Sequence, residues 1–437
     1  MELAGKRITV MGLGRHGGGA AAARFAARSG GRLTITDLAP AEALAHTLAL
    51  LQDLTLERLT LGRHDAADFT HAEVLCVNPA VVPHNPWVAL ARQHGAEITS
   101  ECELALNLRP CLAVGITGTT GKSSTAAMLA ACLAEAGRRV WLGGNIGHSL
   151  LDDLPHMQPD DVAVVEISSF QLHWLSPQVR WPELAIITNF TPHHLDWHGS
   201  LDEYRAAKLR LLHGSGAAGA VVLGSHALLP EGTHALCQRL VEPWPLERLP
   251  TLSVAGAHQR ANAACAAAAA AYLDVPPTAI RRALARFEGL PHRLEYMGLY
   301  QGRRLYDDSK ATTPAAAVAA LQAVAGPIWL LAGGLAKGAD LLPLAAAAAQ
   351  SCAGIACFGT ARHELAGLLA EMDSRAGTSV HERLDEAFAW CWQHARPGDA
   401  ILLSPGCTSH DQFRDYAERG RSFRMLAEGA CRTAARA

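Results

Sequence analysis

Arg7–Met11 carries apolar, β-branched positions that predict a strand. An alanine-rich helix through Arg28 follows, then a second strand from Arg32 to Ile35 that ends at Thr36-Asp37. This is a βαβ opening. A second apolar alternation begins near Cys111. It predicts a strand over Leu112–Ile116, a helix over Ser124–Glu135, and strands over Val162–Ile167 and Leu184–Thr188. Polar residues sit at the carboxyl end of each strand (Glu166, Ser168, Ser169, Asn189), which is where open parallel sheets build sites. Ala261–Tyr272 reads as a low-complexity helix, and Gly289-Leu-Pro291-His-Arg293 as a loop that ends the second region. A third alternation starts at Arg304, with strands over Ile328–Ala332, Gly354–Phe358 and Ala400–Leu403. The pattern predicts an α/β protein of mostly parallel sheets. No fixed-period repeat is evident, and the alanine richness follows from helix propensity and close packing.

Composition narrows the partners. The 437 residues are 49% hydrophobic and 18% charged, enough for two to four domains with a full core. A formal charge of −3 leaves no basic field for an extended nucleic acid. Eleven scattered cysteines, without a CxxC pair, read as reduced thiols. No leader segment or membrane-length apolar run is present, so the expectation is a cytoplasmic protein without a membrane span.

Gly115-Ile-Thr-Gly118-Thr-Thr-Gly121-Lys122-Ser-Ser-Thr125 lies between a predicted strand and a predicted helix. In that setting backbone N–H groups close on a polyphosphate, Lys122 reaches the terminal phosphates and Ser123 ligates Mg²⁺. The loop departs from the common consensus: its first glycine would fall on Ile116, whereas glycines occupy 115 and 118. Gly12, Gly14 and Gly17, with Asp37 about 20 positions on, fit a dinucleotide fingerprint. That turn is compatible with NAD and equally with any other diphosphate. Glu166, beside the phosphate loop, is a metal-binding carboxylate on this reading. His193, His194 and His198 suggest zinc only weakly, since no further cluster completes four ligands.

Nine segments in order then carry a resemblance: GITGTTGKSS at 115–124, GGNIG at 143–147, EISSFQL at 166–172, NFTPHHLDWH at 189–198, YRAAKLRLL at 204–212, GAHQRAN at 256–262, GLPHRLE at 289–295, DDSKATT at 307–313 and SPGCTSHDQF at 404–413. The chain resembles the Mur ligases of peptidoglycan synthesis over nearly its whole length, and within them the glutamate-adding branch. The resemblance implies three domains: a Rossmann-like UDP-binding domain over 1–105, a central P-loop ATPase domain over 106–290, and a Rossmann-like glutamate-binding domain over 291–437. It implies a monomeric ATP-dependent ligase that adds D-glutamate to UDP-N-acetylmuramoyl-L-alanine through an acyl phosphate, with a relative using L-glutamate or another acidic amino acid as the alternative. It also turns the glycine fingerprint from NAD toward UDP.

By matching position, the resemblance implies Lys122, His194 and Lys208 as catalytic residues. ATP would be held by Gly118, Thr119, Thr120, Gly121, Lys122, Ser123, Ser124, Asn262, Arg293 and Asp308. Ser123 and Glu166 would hold one Mg²⁺, and His194 with a carbamylated Lys208 a second. Arg15, His16, Asp37 and Asn145 would contact the UDP-sugar, and Lys310, Thr312, Lys337, Ser409 and Tyr416 would contact glutamate. A lysine ammonium cannot ligate a cation, and carbamylation converts it into an anion. The chain departs from the family where Leu335 replaces an acidic residue, His193 an Asp, His410 an apolar residue and Tyr416 a Phe. Gln259 likewise stands in place of an Asn, and Asn78-Pro-Ala80 in place of a Ser-Pro-Gly turn.

Overall fold

The computed structural model describes residues 3–14, 17–214, 219–224, 239–254, 256–372 and 376–434. The chain divides into two compact units, one of residues 1–250 with 261–284, the other of 251–260 with 285–437.

The first unit holds two sheets. One comprises β1 (Arg7–Met11), β2 (Arg32–Asp37), β3 (Arg58–Leu61), β4 (Val74–Val77) and β5 (Glu97–Thr99), in the order β3-β2-β1-β4-β5. The other comprises β6 (Leu112–Thr117), β7 (Val140–Gly144), β8 (Val162–Glu166), β9 (Leu184–Ile187), β10 (Ala220–Leu223) and β11 (Arg239–Val241), in the order β11-β10-β9-β6-β8-β7. Every pairing in both is parallel. Strands covered on both faces need unbroken apolar runs, and β8, β9 and β10 are buried at every position. The strand order reverses between β1 and β4 and again between β6 and β9. The crevices at those two points lie beside Gly12 and the phosphate loop.

The second unit holds β12 (Glu295–Tyr300), β13 (Arg303–Asp307), β14 (Ile328–Gly333), β15 (Cys352–Phe358), β16 (Gly377–Val380) and β17 (Ala400–Gly406), in the order β12-β13-β17-β14-β15-β16. This corrects the expected start at Arg304. The sheet begins with an antiparallel hairpin, and β12 carries a register shift between Tyr296 and Gly298 that breaks its alternation.

The helix expected over 261–272 runs Ala257–Tyr272, and Ala263, Ala266, Ala267, Ala269 and Ala270 are fully buried. Small side chains let the helix pack closely with no polar face lost. Buried thiols behave as small hydrophobes: burial pushes Cys76, Cys132, Cys265 and Cys357 up to about 12. Among the described residues no helix is long and apolar enough to cross a membrane.

Candidate functional site

Gly121 caps the helix Lys122–Glu135 in the left-handed region at φ 79°, and Gly118 lies at φ 145°. A Cβ on Gly118 would strike the Thr188 hydroxyl, and one on Gly121 the Asn262 amide, so neither position tolerates a side chain. Lys122 Nζ donates to the carbonyls of Gly118 and Thr119, both at 3.0 Å. The loop is tied across the switch point to the end of β9. Thr188 Oγ1 donates to Thr120 O at 2.6 Å, and Asn189 Oδ1 accepts from Thr120 N at 3.0 Å. Thr119 Oγ1 donates to Thr191 O at 3.0 Å and lies 2.9 Å from the Tyr204 hydroxyl.

Beside it, Glu166 is 1% exposed at the end of β8. One carboxylate oxygen accepts from Ser123 Oγ, the other from Asn145 Nδ2 at 2.7 Å. Two residues placed far from Glu166 in sequence therefore meet on its carboxylate. Lys208, on the helix Leu201–Gly214, is 2% exposed, and its Nζ donates to Gly118 O at 2.8 Å. Burial, then the charge of Lys122, hold its pKa well below the usual lysine range, with Glu166 opposing. The shift favours the unprotonated amine, the form whose nitrogen can attack carbon dioxide.

His194 sits at φ 54° at the head of the short helix Leu195–His198, its ring 4.7 Å from Phe170 and 3.8 Å from His193. Although the side chain keeps solvent contact, crowding by these rings pushes its pKa down to about 4, and His193 and the two lysines add to the effect. It is neutral at pH 7 and available as a ligand. His198 is buried, with Nε2 3.0 Å from Ser169 Oγ.

Burial, with the charges of His173 and Lys208, pushes the His198 pKa from 6.5 to about 4. The unfolded chain thus binds more protons there between pH 4 and 6.5, and stability from this group is present above 6.5 and lost as pH falls toward 4. Urea unfolding at pH 7 and pH 4.5 should show wild type losing about 2 kcal/mol more than His198→Gln. Equal losses would remove His198 as the source.

At the other switch point, Asp37 Oδ2 accepts from Gly14 N at 3.0 Å and its Oδ1 from Ala39 N at 2.8 Å. Asn78, where the resemblance implies a serine, closes the turn: its Nδ2 donates to Gly12 O at 2.9 Å, and its Oδ1 accepts from Ala80 N at 2.9 Å. Arg15 and His16 lie outside the described residues.

In the second unit, Asp308 is buried at the end of β13, with Ser404 Oγ donating to Oδ2 at 2.7 Å and Leu294 N to Oδ1 at 2.9 Å. Burial pushes its carboxyl up to about 7 against those two bonds. Lys310 Nζ donates to the Tyr416 hydroxyl at 3.1 Å and lies 4.7 Å from that ring's centroid. Ser309 Oγ donates to Tyr416 O at 2.7 Å. Thr312 and Lys337 are not tied to this group by a side-chain hydrogen bond among the described residues. Lys337 is held at φ 52° in the loop after β14, and Ser409 is 2% exposed after β17. Those two loops pair through Leu335 N to Thr408 O at 2.9 Å and Thr408 N to Leu335 O at 3.0 Å.

Sequence reasoning missed Arg419. It is fully buried, donating from Nε to Ser309 Oγ at 3.0 Å and from Nη2 to Ser309 O and Cys407 O at 2.8 and 3.1 Å. In the sequence it reads as one more arginine on a charged helix. His292, Glu295 and Asp307 also cluster, but they are used internally. His292 Nδ1 meets Asp307 Oδ2 at 2.7 Å, and Glu295 pairs with Arg424 at 2.6 Å.

The Mur ligase middle domain matches residues 116–229, and the Mur ligase glutamate ligase domain residues 292–407. The UDP-N-acetylmuramoylalanine–D-glutamate ligase of Geobacter metallireducens is 35% identical over 97% of this chain and 97% of its own length. That of Roseiflexus sp. is 35% identical over 98% and 99%. Among solved structures, UDP-N-acetylmuramate-alanine ligase MurC from Thermotoga maritima superposes with a TM-score of 0.62 at 19% identity, covering 97% of this chain and all of that one. MurF ligase from the same organism, solved with ADP, gives 0.60 at 15% identity over 99% and 96%. With full-length relatives at this identity and both catalytic-region domains matched, the chain belongs to the Mur ligase family.

Proposed function

We propose that this protein is the ATP-dependent ligase that joins D-glutamate to UDP-N-acetylmuramoyl-L-alanine in peptidoglycan precursor synthesis. The observation that carries the reading is the convergence of Lys122 and Lys208 on the Gly118 carbonyl, beside a buried Glu166 held by Ser123 and Asn145. A dehydrogenase has no use for that cluster. The two relatives above are named for this reaction, and the MurF neighbour was solved with ADP.

The reaction needs a carboxylate to attack a phosphate, two anions that repel. On this reading an oxygen of the alanyl carboxylate attacks the γ-phosphorus of ATP and ADP leaves. The glutamate amine then attacks the acyl carbon of the resulting acyl phosphate. The tetrahedral adduct collapses, breaking the C–O bond to phosphate, and the amine loses its proton to solvent. Gly118 to Ser124 and Asn262 cradle the triphosphate, and Lys122 offsets the charge that gathers on its terminal oxygens. Arg293 and Asp308 serve the nucleotide.

The donors at Glu166 are a carboxylate and a hydroxyl, hard oxygen ligands that suit Mg²⁺. Ser123 and Glu166 would hold one such ion, and His194 with carbamylated Lys208 a second. When bound, the ions supply charge neutralisation for the phosphoryl oxygens. Asp37 and Asn145 orient the UDP-muramoyl substrate, together with Arg15 and His16. Lys310, Thr312, Lys337, Ser409 and Tyr416 receive the amino dicarboxylate, whose two negative groups need cations and hydroxyl donors. We assign residues 1–105, 106–290 and 291–437 to the UDP, ATP and glutamate domains.

Purified protein with ATP, Mg²⁺ and UDP-N-acetylmuramoyl-L-alanine should release phosphate and form the amide product with D-glutamate. Product with L-glutamate alone would transfer the assignment to a different ligase, and no product with either would reject it.

A further inference from the structure

We infer that Glu101 is a positioning residue for the UDP-muramoyl substrate, acting through the Ser149 hydroxyl on the loop that carries Asn145. The inference rests on Asn145 being a contact of that substrate.

Glu101 opens the helix Glu101–Leu108, on the stretch of chain between the last strand of the first sheet and the phosphate-loop strand. It is 8% exposed and plays no part in the chemistry above. Burying a carboxyl is unfavourable unless its hydrogen bonds are made, and burial pushes this one up to about 7. Its partner is Ser149 Oγ, which donates to Glu101 Oε1 and itself accepts from Leu151 N at 3.3 Å. That second bond caps the turn Leu150–Asp152, whose Leu150 and Leu151 are buried in the core. Asp152 in turn accepts from Arg24 Nη2 at 2.5 Å and Arg28 Nη2 at 3.2 Å, both on the helix Gly18–Arg28. The far end of the loop is therefore clamped from two sides.

Its near end is the site. Gly144 N donates to His148 O at 2.8 Å, Asn145 N to Glu166 O at 2.8 Å, and Asn145 Nδ2 to the Glu166 carboxylate. Only Ile146, Gly147 and His148 separate Asn145 from the clamped Ser149. Gly147 stands at φ 100° with open space about it, so this span has a ready pivot. Without the Glu101 bond the Ser149 end keeps only its cap to Leu151 N and the Asp152 pairs, so the span can relax about that pivot and shift Asn145 relative to the substrate.

Steady-state kinetics of the full-length protein test the clamp. Ser149→Ala is the mild variant, and Glu101→Ala removes the other partner. Each should raise KM for UDP-N-acetylmuramoyl-L-alanine about tenfold, the worth of one charge-assisted hydrogen bond, with KM for D-glutamate unmoved. The double variant should be no worse than the worse single, because either change removes the same contact. Glu101→Gln, which keeps an acceptor oxygen for Ser149, should bring KM back toward wild type. Unchanged KM for the UDP substrate in Ser149→Ala, additive losses in the double variant, or equal rises in both KM values would overturn the clamp. A wild-type protein that does not turn over the UDP substrate overturns the functional reading itself.

Discussion

Lys122→Ala is expected to lower kcat for phosphate release by at least about a thousandfold, the scale seen when a preorganised charge at a developing oxyanion is removed. Its ammonium is held over the loop by the Gly118 and Thr119 carbonyls, so the cation is in place before the transition state forms. The fold should not notice. Gly118 O is buried but keeps the Lys208 donor at 2.8 Å, and Thr119 is half-buried, so water replaces the lost donor there at about 1 kcal/mol or less. The thermal midpoint without nucleotide should stay close to wild type, while the upward shift on adding ATP shrinks with the lost affinity. Turnover within tenfold of wild type would remove Lys122 from the phosphoryl site and leave the loop's backbone as the only contact.

Lys208→Met should be comparably damaging to turnover and is more informative about mechanism. Methionine keeps the unbranched apolar stem and is one atom shorter, so most of the buried space remains filled. Gly118 O keeps a partner in Lys122 Nζ, and the desolvation that depresses the amine is relieved. Activity should therefore fall by about a thousandfold or more while the thermal midpoint holds or rises. Lys208→Arg should not rescue, since guanidinium stays charged and cannot form a carbamate. Intact-mass measurement in bicarbonate, under conditions that retain carbamates, should find one added CO₂ on wild type and none on Lys208→Met. If Lys208→Arg retained wild-type rates, the residue would be acting as a cation and the carbamate would be wrong.

The parts of this protein that sequence displays are those where local pattern and chemistry coincide. β6, β8 and β9 are apolar runs with a polar residue at or just after the carboxyl end (Thr117, Glu166, Thr188), and the phosphate loop lies between a predicted strand and a predicted helix. Edge strands were harder. β3 and β5 are four and three residues long with mixed exposure, and β12 loses its alternation at the Tyr296/Gly298 irregularity. The site was legible as a set of residues but not as a set of bonds. Nothing in the local sequence places Asn145 and Ser123 on the two oxygens of Glu166, because that meeting is made by the order of strands β6, β8 and β7. Arg419 was invisible for a related reason. Its burial is decided by Ser309 and Cys407, which stand at the ends of other strands.

The pairing of Leu335 with Thr408 bears on how genomes are read. By the family resemblance an acid is expected at Leu335, yet the loop is organised there by two main-chain bonds and by Thr408 Oγ1 donating to Leu335 O at 3.0 Å. All three use the peptide group at 335 and none uses its side chain. A catalogue that assigns enzymes by demanding an acidic letter at this column would discard this chain for a feature its architecture does not depend on. Such a rule should score the pair of columns that can form the bridge.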